Sequence, residues 1–380
     1  MSKLKLLYIT HFNENRVSQG NYYFQTELAR ITDLTVWHEP GNIQDILAKL
    51  TISPDFILIN EYGGKGPKIN GLSTLSIPYG IYLQDLHVNL KGIKIAIRKD
   101  KVRYIFSTCR DKFQKWLPEF KNRRRWLPHH VNPNVFKDYG LTKENDLLLM
   151  GNVNKRLYPL RWKIHEVLQD KPNFVYHEHP GQREFKPHEM RDLLIGEKYA
   201  REINRSKIFI TCNSIYKNPS PIYYEVLACK TLLLAPSSKE LKDLGFIPGV
   251  HFVKINEHDF EEKAEYYLKN EEERLKIAEQ GYRMVHEYHT TAIRAHQLVV
   301  MIGDILENYQ PTPNKKEKAK RSVVKKTKKH FPKKKKVRST NKIKQNKRLK
   351  TNQLTKITTL QRKVIKLQRK VKELQQAGKK

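Results

Sequence analysis

One stretch of the sequence predicts a complete unit of strand, loop, helix and strand: Ile208-Phe-Ile-Thr-Cys-Asn-Ser-Ile-Tyr-Lys-Asn-Pro-Ser-Pro-Ile-Tyr-Tyr-Glu-Val-Leu-Ala-Cys-Lys-Thr-Leu-Leu-Leu-Ala235. The runs 208–212 and 232–235 are mostly apolar, as expected for strands of a parallel sheet that is covered on both faces. Between them, a polar loop leads into a helix at 222–229, and its prolines suit a first helical turn. Such a unit predicts an α/β sheet whose ligands lie beyond the carboxyl ends of its strands.

The same alternation extends over most of the chain. Five short apolar runs occur in the first 130 residues, at 4–10, 34–38, 56–60, 79–83 and 104–107, with helical spacing between several of them. Residues 125–136 hold two prolines and two asparagines and are interpreted as a crossover, after which the strand and helix pattern restarts. The sequence therefore predicts an α/β protein with two doubly wound Rossmann-like domains, 1–135 and 136–310.

The net charge is concentrated at one end of the chain. Residues 311–380 hold 28 lysines and arginines against two glutamates, a net charge of +26 out of +34 for all 380 residues. The preceding 310 residues keep only +8 and predict a mildly basic globular body. Residues 311–350 predict a disordered basic linker that binds polyanions such as nucleic acid, an anionic polymer or acidic lipid.

The last thirty residues regain an apolar pattern. Six apolar residues alternate steps of three and four: Ile357, Leu360, Val364, Leu367, Val371 and Leu374. These heptads predict a short coiled-coil helix at 351–380 that can pair two copies of the chain in a homodimer.

The cysteines and the apolar segments indicate a cytoplasmic protein. Cys109, Cys212 and Cys229 form neither a C-x-x-C pair nor a disulfide framework. The first apolar run is interrupted by polar residues at 11–15, too early for a signal-peptide core. No run of eighteen apolar residues occurs, and the mean hydropathy is −0.70. We therefore expect a soluble protein without a transmembrane segment.

Residues 219–236 and 244–249 resemble the donor-site helix and following strand of GT-B glycosyltransferases, in particular the group 1-like enzymes related to the spore-maturation protein CgeB. The stretches 272–281 and 289–294 resemble the helical ending of that group. The resemblance rests on motifs in the second half and on topology alone in the first. It implies an acceptor domain at 1–135 and a nucleotide-sugar domain at 136–310.

The resemblance implies a role for Glu225 in binding the donor. A glutamate at its position on the helix holds the ribose hydroxyls, and a carboxylate can accept two hydrogen bonds from a vicinal diol. The sequence departs from the family pattern at Lys217, where a second glutamate is usual in retaining enzymes, and at Lys230, where glycine is common. The first departure leaves the stereochemistry open.

The diphosphate of a UDP- or GDP-sugar needs positive charge or free helix amides. The resemblance places the basic residues that bind it at Lys155 and Arg156, and the Ser220-Pro221 turn opens the Glu225 helix. The expected binding residues are therefore Gly151, Asn152, Lys155, Arg156, Asn213, Ser220, Pro221 and Glu225. No Asp-x-Asp pair occurs, so the donor is expected to bind without a metal.

Several residues are candidates for the chemical step. Asp85 and His87 follow the fourth predicted strand, where GT-B enzymes often supply a base, although either could instead cap the next helix. His129 and His130 are interpreted as hinge residues. The run His177-Glu-His179 has the wrong spacing for two zinc ligands on one helix face.

These observations predict a glycosyltransferase that moves a sugar from a nucleotide-sugar to an unidentified acceptor. The alternative is a non-catalytic binding or scaffold protein on a decayed GT-B fold, which acts through its basic tail.

Overall fold

The computed structural model describes residues 3–309 apart from 13, 15 and 65. The predicted basic linker at 311–350 and the coiled-coil helix at 351–380 lie outside these residues. All described residues belong to one compact unit, Met1–Thr312. The division at about residue 135 into an acceptor domain and a donor domain therefore stays a prediction.

The described residues form strands and helices in regular alternation. The strands are β1 Lys5–Ile9, β2 Asp33–Trp37, β3 Gly41–Asn42, β4 Phe56–Asn60, β5 Ile69–Asn70, β6 Tyr79–Leu83, β7 Tyr104–Ser107, β8 Arg124–Trp126, β9 Asn145–Met150, β10 Phe174–His177, β11 Ser206–Ile210, β12 Leu232–Ala235 and β13 Val253–Lys254. The helices are α1 Gly20–Ile31, α2 Ile43–Ala48, α3 Leu90–Lys99, α4 Arg110–Trp116, α5 Pro159–Leu168, α6 Glu197–Asn204, α7 Pro221–Ala228, α8 Lys239–Asp243, α9 Phe260–Lys269, α10 Glu271–Tyr288 and α11 Thr291–Glu307.

The first sheet has six parallel strands in the order β2-β1-β4-β6-β7-β8. Its strands are apolar on both faces because helices cover both. Leu7 and Ile57 pack on one side with Ile93 of α3, whereas Tyr8 and Leu58 pack on the other with residues of α1 and α11. This double cover explains the near-continuous apolar runs of the sequence.

The second sheet has five parallel strands in the order β10-β9-β11-β12-β13. Leu148 and Phe209 pack beneath α6 and α7, and Leu147 and Ile208 pack on the opposite face with α5 and α9. In both sheets the parallel strands bring several carboxyl-end loops to one edge, which is where a ligand site is expected.

The chain crosses twice between the sheets. The crossover expected from residue 125 begins at Leu127 instead, because Arg124–Trp126 pair with β7 as the sixth strand of the first sheet. The return follows α10: Val131 bridges to Thr290, and α11 then packs in the core that α1 forms with the first sheet.

Within residues 3–309, apart from the three gaps, no helix is long and apolar enough to cross a membrane.

Candidate functional site

The carboxyl-end loops of β9 and β11 are joined by a buried arginine. The guanidinium carbon of Arg161 on α5 lies 4.4 Å from the centroid of the Tyr158 ring, and the residue is only 5 % exposed. Its Nη1 donates to the carbonyl of Asn152 at 3.0 Å, and its Nη2 donates to Thr211 Oγ1 at 3.1 Å and to the carbonyl of Cys212 at 3.2 Å. All three acceptors are neutral, so these bonds position the guanidinium without neutralising its charge.

Gly151 lets the arginine come this close to the backbone. Its φ is +117°, in a region that other residues rarely adopt. A Cβ at this position would lie 2.9 Å from Arg161 Nη1. Gly151 was predicted as a binding residue. The structure gives a local reason for glycine here, because a side chain would block the approach of the Arg161 guanidinium to the end of β9.

The loop 213–220 and the start of α7 hold buried polar atoms that need a partner. Within the described part of the chain, Asn213 Oδ1, Asn218 Oδ1 and Ser220 Oγ are buried and have no hydrogen-bond partner, and the same holds for Ser237 Oγ in the loop after β12. Ser220 is the N-cap of α7, and its side chain makes no capping bond although Pro221 begins the helix. Buried polar groups are nearly always paired, so this cluster fits a ligand rich in donors and acceptors.

Glu225 lies one turn into α7 and is partly exposed. Burial raises the pKa of its carboxyl to about 7, against a smaller opposing effect of a hydrogen bond with Tyr199 on α6. The pKa of Tyr23 on α1 is raised, mainly by burial and to a smaller extent by the negative charge of Glu225. The carboxyl therefore lies near both α6 and α1, and near neutral pH it can either donate or accept a proton.

Lys155 and Arg156 are on the exposed part of the loop after β9. The Lys155 ammonium lies over the Trp162 ring, 3.7 Å from its centroid. The Arg156 backbone N–H donates to Asn154 Oδ1 at 3.0 Å, in a turn that Asn152 Oδ1 also supports. Arg161 is thus the buried cation of this edge, while Lys155 and Arg156 lie on its surface.

Asp85 and His87 are exposed in the loop after β6. The His87 ring stacks on Tyr216 of the loop 213–220, with 4.4 Å between ring centroids. Trp116 at the end of α4 contacts the same tyrosine edge-on at 5.7 Å. The structure thus brings His87 of the first sheet to the loop that holds the buried polar atoms of the second.

Amide side chains connect the carboxyl ends of β1, β4 and β6. Gln84 Nε2 donates to Asn21 Oδ1 at 2.6 Å and to Asn60 Oδ1 at 3.0 Å. Asn60 Nδ2 donates to Thr10 Oγ1 at 3.1 Å. Asn21 Nδ2 also donates to Glu61 Oε1 at 3.4 Å, so this network of amides at the carboxyl edge of the first sheet ends at a carboxylate.

A second contact between the two sheets is made by Glu240 on α8. Its carboxylate accepts hydrogen bonds from the backbone N–H groups of Arg110 and Asp111, the latter at 3.1 Å, at the start of α4. Arg110 Nη2 also donates to Asp243 Oδ2 at 2.6 Å. Burial raises the pKa of Glu240, while the two backbone bonds oppose that shift. The acidic residues of α8 thereby cap a helix of the other sheet.

His129 and His130 lie in the crossover between the sheets. Burial lowers the pKa of His129 to about 4 and that of His130 to about 3, and the nearby Arg294 contributes to both shifts. His130 Nδ1 lies 3.0 Å from Thr291 Oγ1, and Arg294 Nε donates to the carbonyl of His129. Both imidazoles are therefore neutral near pH 7 and packed where the chain crosses, and their role as hinge residues stays a prediction.

Lys217 and Lys230 both have left-handed backbones, with φ of +54° and +55°. Glycine is favoured at such positions, which gives a physical reason for the family's glycine at the second one. Lys230 Nζ is held by Asp138 at 3.3 Å and Glu279 at 3.0 Å. Lys230 thus lies just after the end of α7, where its side chain takes part in ion pairs with two acidic residues.

Among the residues described, no group of three or more His, Cys, Asp or Glu side chains is arranged to hold a metal ion. His177 Nε2 is paired with Glu202 Oε1 at 3.1 Å, and His179 Nδ1 accepts from the Gly181 N–H at 2.9 Å.

The sequence interpretation missed Arg161 and Tyr199. A signal for Arg161 was present, because it shares the buried stripe of α5 with Ile164 and Leu168 at steps of three and four residues. A charged residue in an apolar stripe is buried only where other parts of the chain supply its partners. Tyr199 carries no comparable signal, since tyrosine is common at any half-buried helix position.

Residues 146–299 match the model of a family described as glycosyl transferase-like. No curated protein matches the sequence. Similar solved structures include HepE of Anabaena in complex with UDP-glucose, with a TM-score of 0.55 and 11% identity over 79% of this chain and 100% of that chain. Sucrose-phosphate synthase of Thermosynechococcus elongatus has a TM-score of 0.59 and 10% identity over 81% of this chain and 100% of its own. A glycosyltransferase of Rickettsia africae has a TM-score of 0.54 and 11% identity, with coverage of 81% and 100%.

At these identities the structural likeness shows the fold. The match to the family model begins at β9 and ends within α11, so it includes Arg161, the loop 213–220 and Glu225. The chain thus has the GT-B fold with Rossmann-like parallel sheets, and its second half matches the glycosyl transferase-like family.

Proposed function

We propose that the protein transfers a glycosyl group from a nucleotide-sugar to an acceptor bound between the two sheets. The observation that carries this proposal is the cluster at the edge of the second sheet. There, among the described residues, the buried atoms Asn213 Oδ1, Asn218 Oδ1 and Ser220 Oγ lack hydrogen-bond partners on the loop that leads to Glu225. A nucleotide diphosphate offers many donors and acceptors, which is what such a cluster requires. Two of the similar structures contain UDP-glucose or UDP with glucose.

In this proposal Glu225 accepts the ribose hydroxyls, and the start of α7 and Arg161 face the diphosphate. The uncompensated guanidinium and the helix amides supply the positive potential that a metal supplies in other enzymes, so the donor binds without one. Lys155 and Arg156 add exposed charge at the rim. UDP- and GDP-sugars are the donors proposed.

The first sheet supplies the acceptor side. Asp85 or His87 acts as the base that takes the acceptor proton if the reaction inverts. The stacking of His87 on Tyr216 supports its choice, because the contact places an imidazole beside the donor loop. The amide network of Gln84 and Asn60 offers a polar surface that suits a hydroxylated acceptor.

The remaining assignments concern the cell and the tail. The free buried thiols Cys109, Cys212 and Cys229 suit a reducing, cytoplasmic compartment. Residues 311–350 are proposed to bind polyanions, and the heptads at 351–380 are proposed to pair two copies. The narrower likeness to the CgeB-related group also remains a proposal.

A thermal-shift screen of the full chain tests the donor assignment. UDP- or GDP-sugars should raise the melting temperature in proportion to ln(1 + [L]/Kd), with or without a chelator. Glu225→Ala should lose the shift, whereas Glu262→Ala, an exposed glutamate on α9, should keep it.

Release of free nucleotide diphosphate over time then separates the enzyme from the alternative. A scaffold on a decayed fold, as the departure at Lys217 suggests, would show neither turnover nor a shift. A shift that requires Mg²⁺ would contradict the metal-free site.

A further inference from the structure

A pocket of about 420 Å³ on the first half is lined by four basic residues, Arg98, Lys101, Arg103 and Arg123. Arg98 is in the last turn of α3, Lys101 and Arg103 precede β7, and Arg123 ends the 3₁₀ turn Pro118–Arg123. Because the pocket lies at the amino end of β7, it is on the opposite edge of the sheet from the proposed active site.

Several of the lining side chains are held in place by neighbouring rings and carbonyls. The guanidiniums of Arg98 and Arg123 lie 5.5 and 5.1 Å from the centroid of the buried Phe120 ring. Arg123 Nη1 donates to the carbonyl of Val102 at 2.7 Å. Ordered guanidiniums lose less side-chain entropy when they bind an anion.

Arg103 is held by aromatic rings as well. Its guanidinium lies 5.8 Å from the Tyr104 ring centroid and 5.3 Å from that of Tyr309. The Tyr309 hydroxyl in turn donates to the carbonyl of Ser76 at 2.9 Å. The end of the described chain is thereby fixed beside the basic pocket.

Two acidic side chains of the described residues, Glu119 and Asp100, lie beside this basic cluster. Glu119 Oε1 is shared between Arg98 at 3.0 Å and Lys94 at 3.3 Å. Asp100 accepts a hydrogen bond from the Tyr62 hydroxyl at 2.6 Å. Like charges that share a pocket repel one another, and a bound anion relieves that repulsion.

The dipole of α3 does not account for the cluster by itself. Basic residues in a last helical turn are favourable, which explains Arg98. Arg103 and Arg123, however, come from other elements and still converge on the same pocket. Three guanidiniums around one opening fit the oxygens of a phosphate group, which they can bind through paired hydrogen bonds.

We propose that this pocket binds a phosphate group of a linear polyanion, at a site separate from the proposed active site. The class of ligand follows from the charge of the chain, because residues 311–380 carry a net charge of +26. So high a positive charge attracts linear polyanions, and this attraction weakens as salt screens it. The pocket adds phosphate contacts of fixed geometry to the charge of the tail.

The test compares two double variants of the full chain. In Lys101→Asn with Arg103→Gln the pocket loses two charges, and asparagine suits the φ of +56° at position 101. The matched control is Lys254→Ala with Lys276→Ala, which removes two exposed lysines from the second half. The affinity for a labelled oligo(dT) 20-mer is measured by fluorescence anisotropy between 50 and 300 mM salt. The affinity for inorganic polyphosphate is measured by its competition with the oligonucleotide.

The pocket variant should bind the oligonucleotide about tenfold more weakly. The slope of log K against log [salt] should become shallower by about 1.4, since each lost contact to a single strand removes about 0.7. The control should keep the affinity and slope of the wild type.

If the pocket variant loses affinity for both polyanions, the pocket recognises phosphate groups alone. If it loses affinity for the oligonucleotide but not for polyphosphate, the pocket recognises nucleic acid. Equal melting temperatures of the two variants show that the fold is retained. A pocket variant with wild-type affinity and slope for both ligands would overturn the proposal, because binding would then lie elsewhere.

Discussion

Donor affinity should rise about tenfold between pH 6 and pH 8, because a ribose diol is held best by an ionised Glu225. Burial raises the pKa of this carboxyl to about 7. With that pKa, about one molecule in eleven is ionised at pH 6 and about ten in eleven at pH 8. At the ordinary pKa of glutamate, the carboxyl would be ionised throughout this range and the affinity would stay flat.

The stability of the free protein should follow the opposite trend. A carboxyl whose pKa is raised on folding binds protons in the native state that the unfolded chain has released. Between about pH 4.5 and pH 7 the free energy of unfolding therefore falls as pH rises, by at most about 3 kcal/mol from this group. The ligand dependence and the stability dependence thus have opposite signs and a common origin.

Isothermal titration with a nucleotide-sugar at pH 6, 7 and 8 measures the first effect. The intact nucleotide-sugar is the appropriate probe because both of its phosphates are esterified and keep one charge each in this range. Glu225→Gln should bind weakly and without pH dependence, whereas Glu262→Gln should behave as the wild type. A tenfold dependence that persists in Glu225→Gln would refute the reasoning, because another group would then be titrating.

Three further predictions concern the surrounding structure. Arg161→Met should lower the free energy of unfolding by about 3 kcal/mol in urea titrations, because its three acceptors, two of them in buried bonds, lose their donor. An unchanged stability would argue against the observed bonds. Glu240→Gln should cost about 1 kcal/mol in the same assay, because an amide has one oxygen and leaves one of the two backbone N–H groups of α4 without its acceptor; Glu262→Gln is the control. Truncation after Tyr309 should leave turnover of a small acceptor intact while it removes most polyanion binding and self-association, and loss of all turnover would show that the tail belongs to the catalytic machinery.

The strands could be predicted from the sequence because helices cover both faces of each sheet. For this reason the run 232–235 is apolar throughout and the run 56–60 is apolar up to its last residue, Asn60. The two runs have the same bounds as β12 and β4. The strand Arg124–Trp126 was interpreted as part of the crossover, since three polar or aromatic residues at a sheet edge carry no apolar run. Its pairing with β7 is a tertiary effect.

The candidate site also contains residues that could be predicted from the sequence and residues that could not. Glu225 and the Ser220-Pro221 turn lie in one local unit, so a short motif is sufficient to single them out. The burial of Arg161 depends on carbonyl and hydroxyl groups up to 51 residues away, and the stacking of Tyr216 on His87 joins loops of different sheets. Contacts of this range leave little trace in a single sequence, and only the folded chain shows them.

The central claim is that a nucleotide-sugar binds at the carboxyl edge of the second sheet. A crystal structure of the full chain with UDP or GDP tests it most directly. The ribose hydroxyl oxygens should lie within about 2.6–3.2 Å of the Glu225 carboxylate, with the diphosphate at the start of α7 on the side of Arg161. A nucleotide bound to the loops of the first sheet, or Glu225 without contact to the ribose at full occupancy, would contradict the claim.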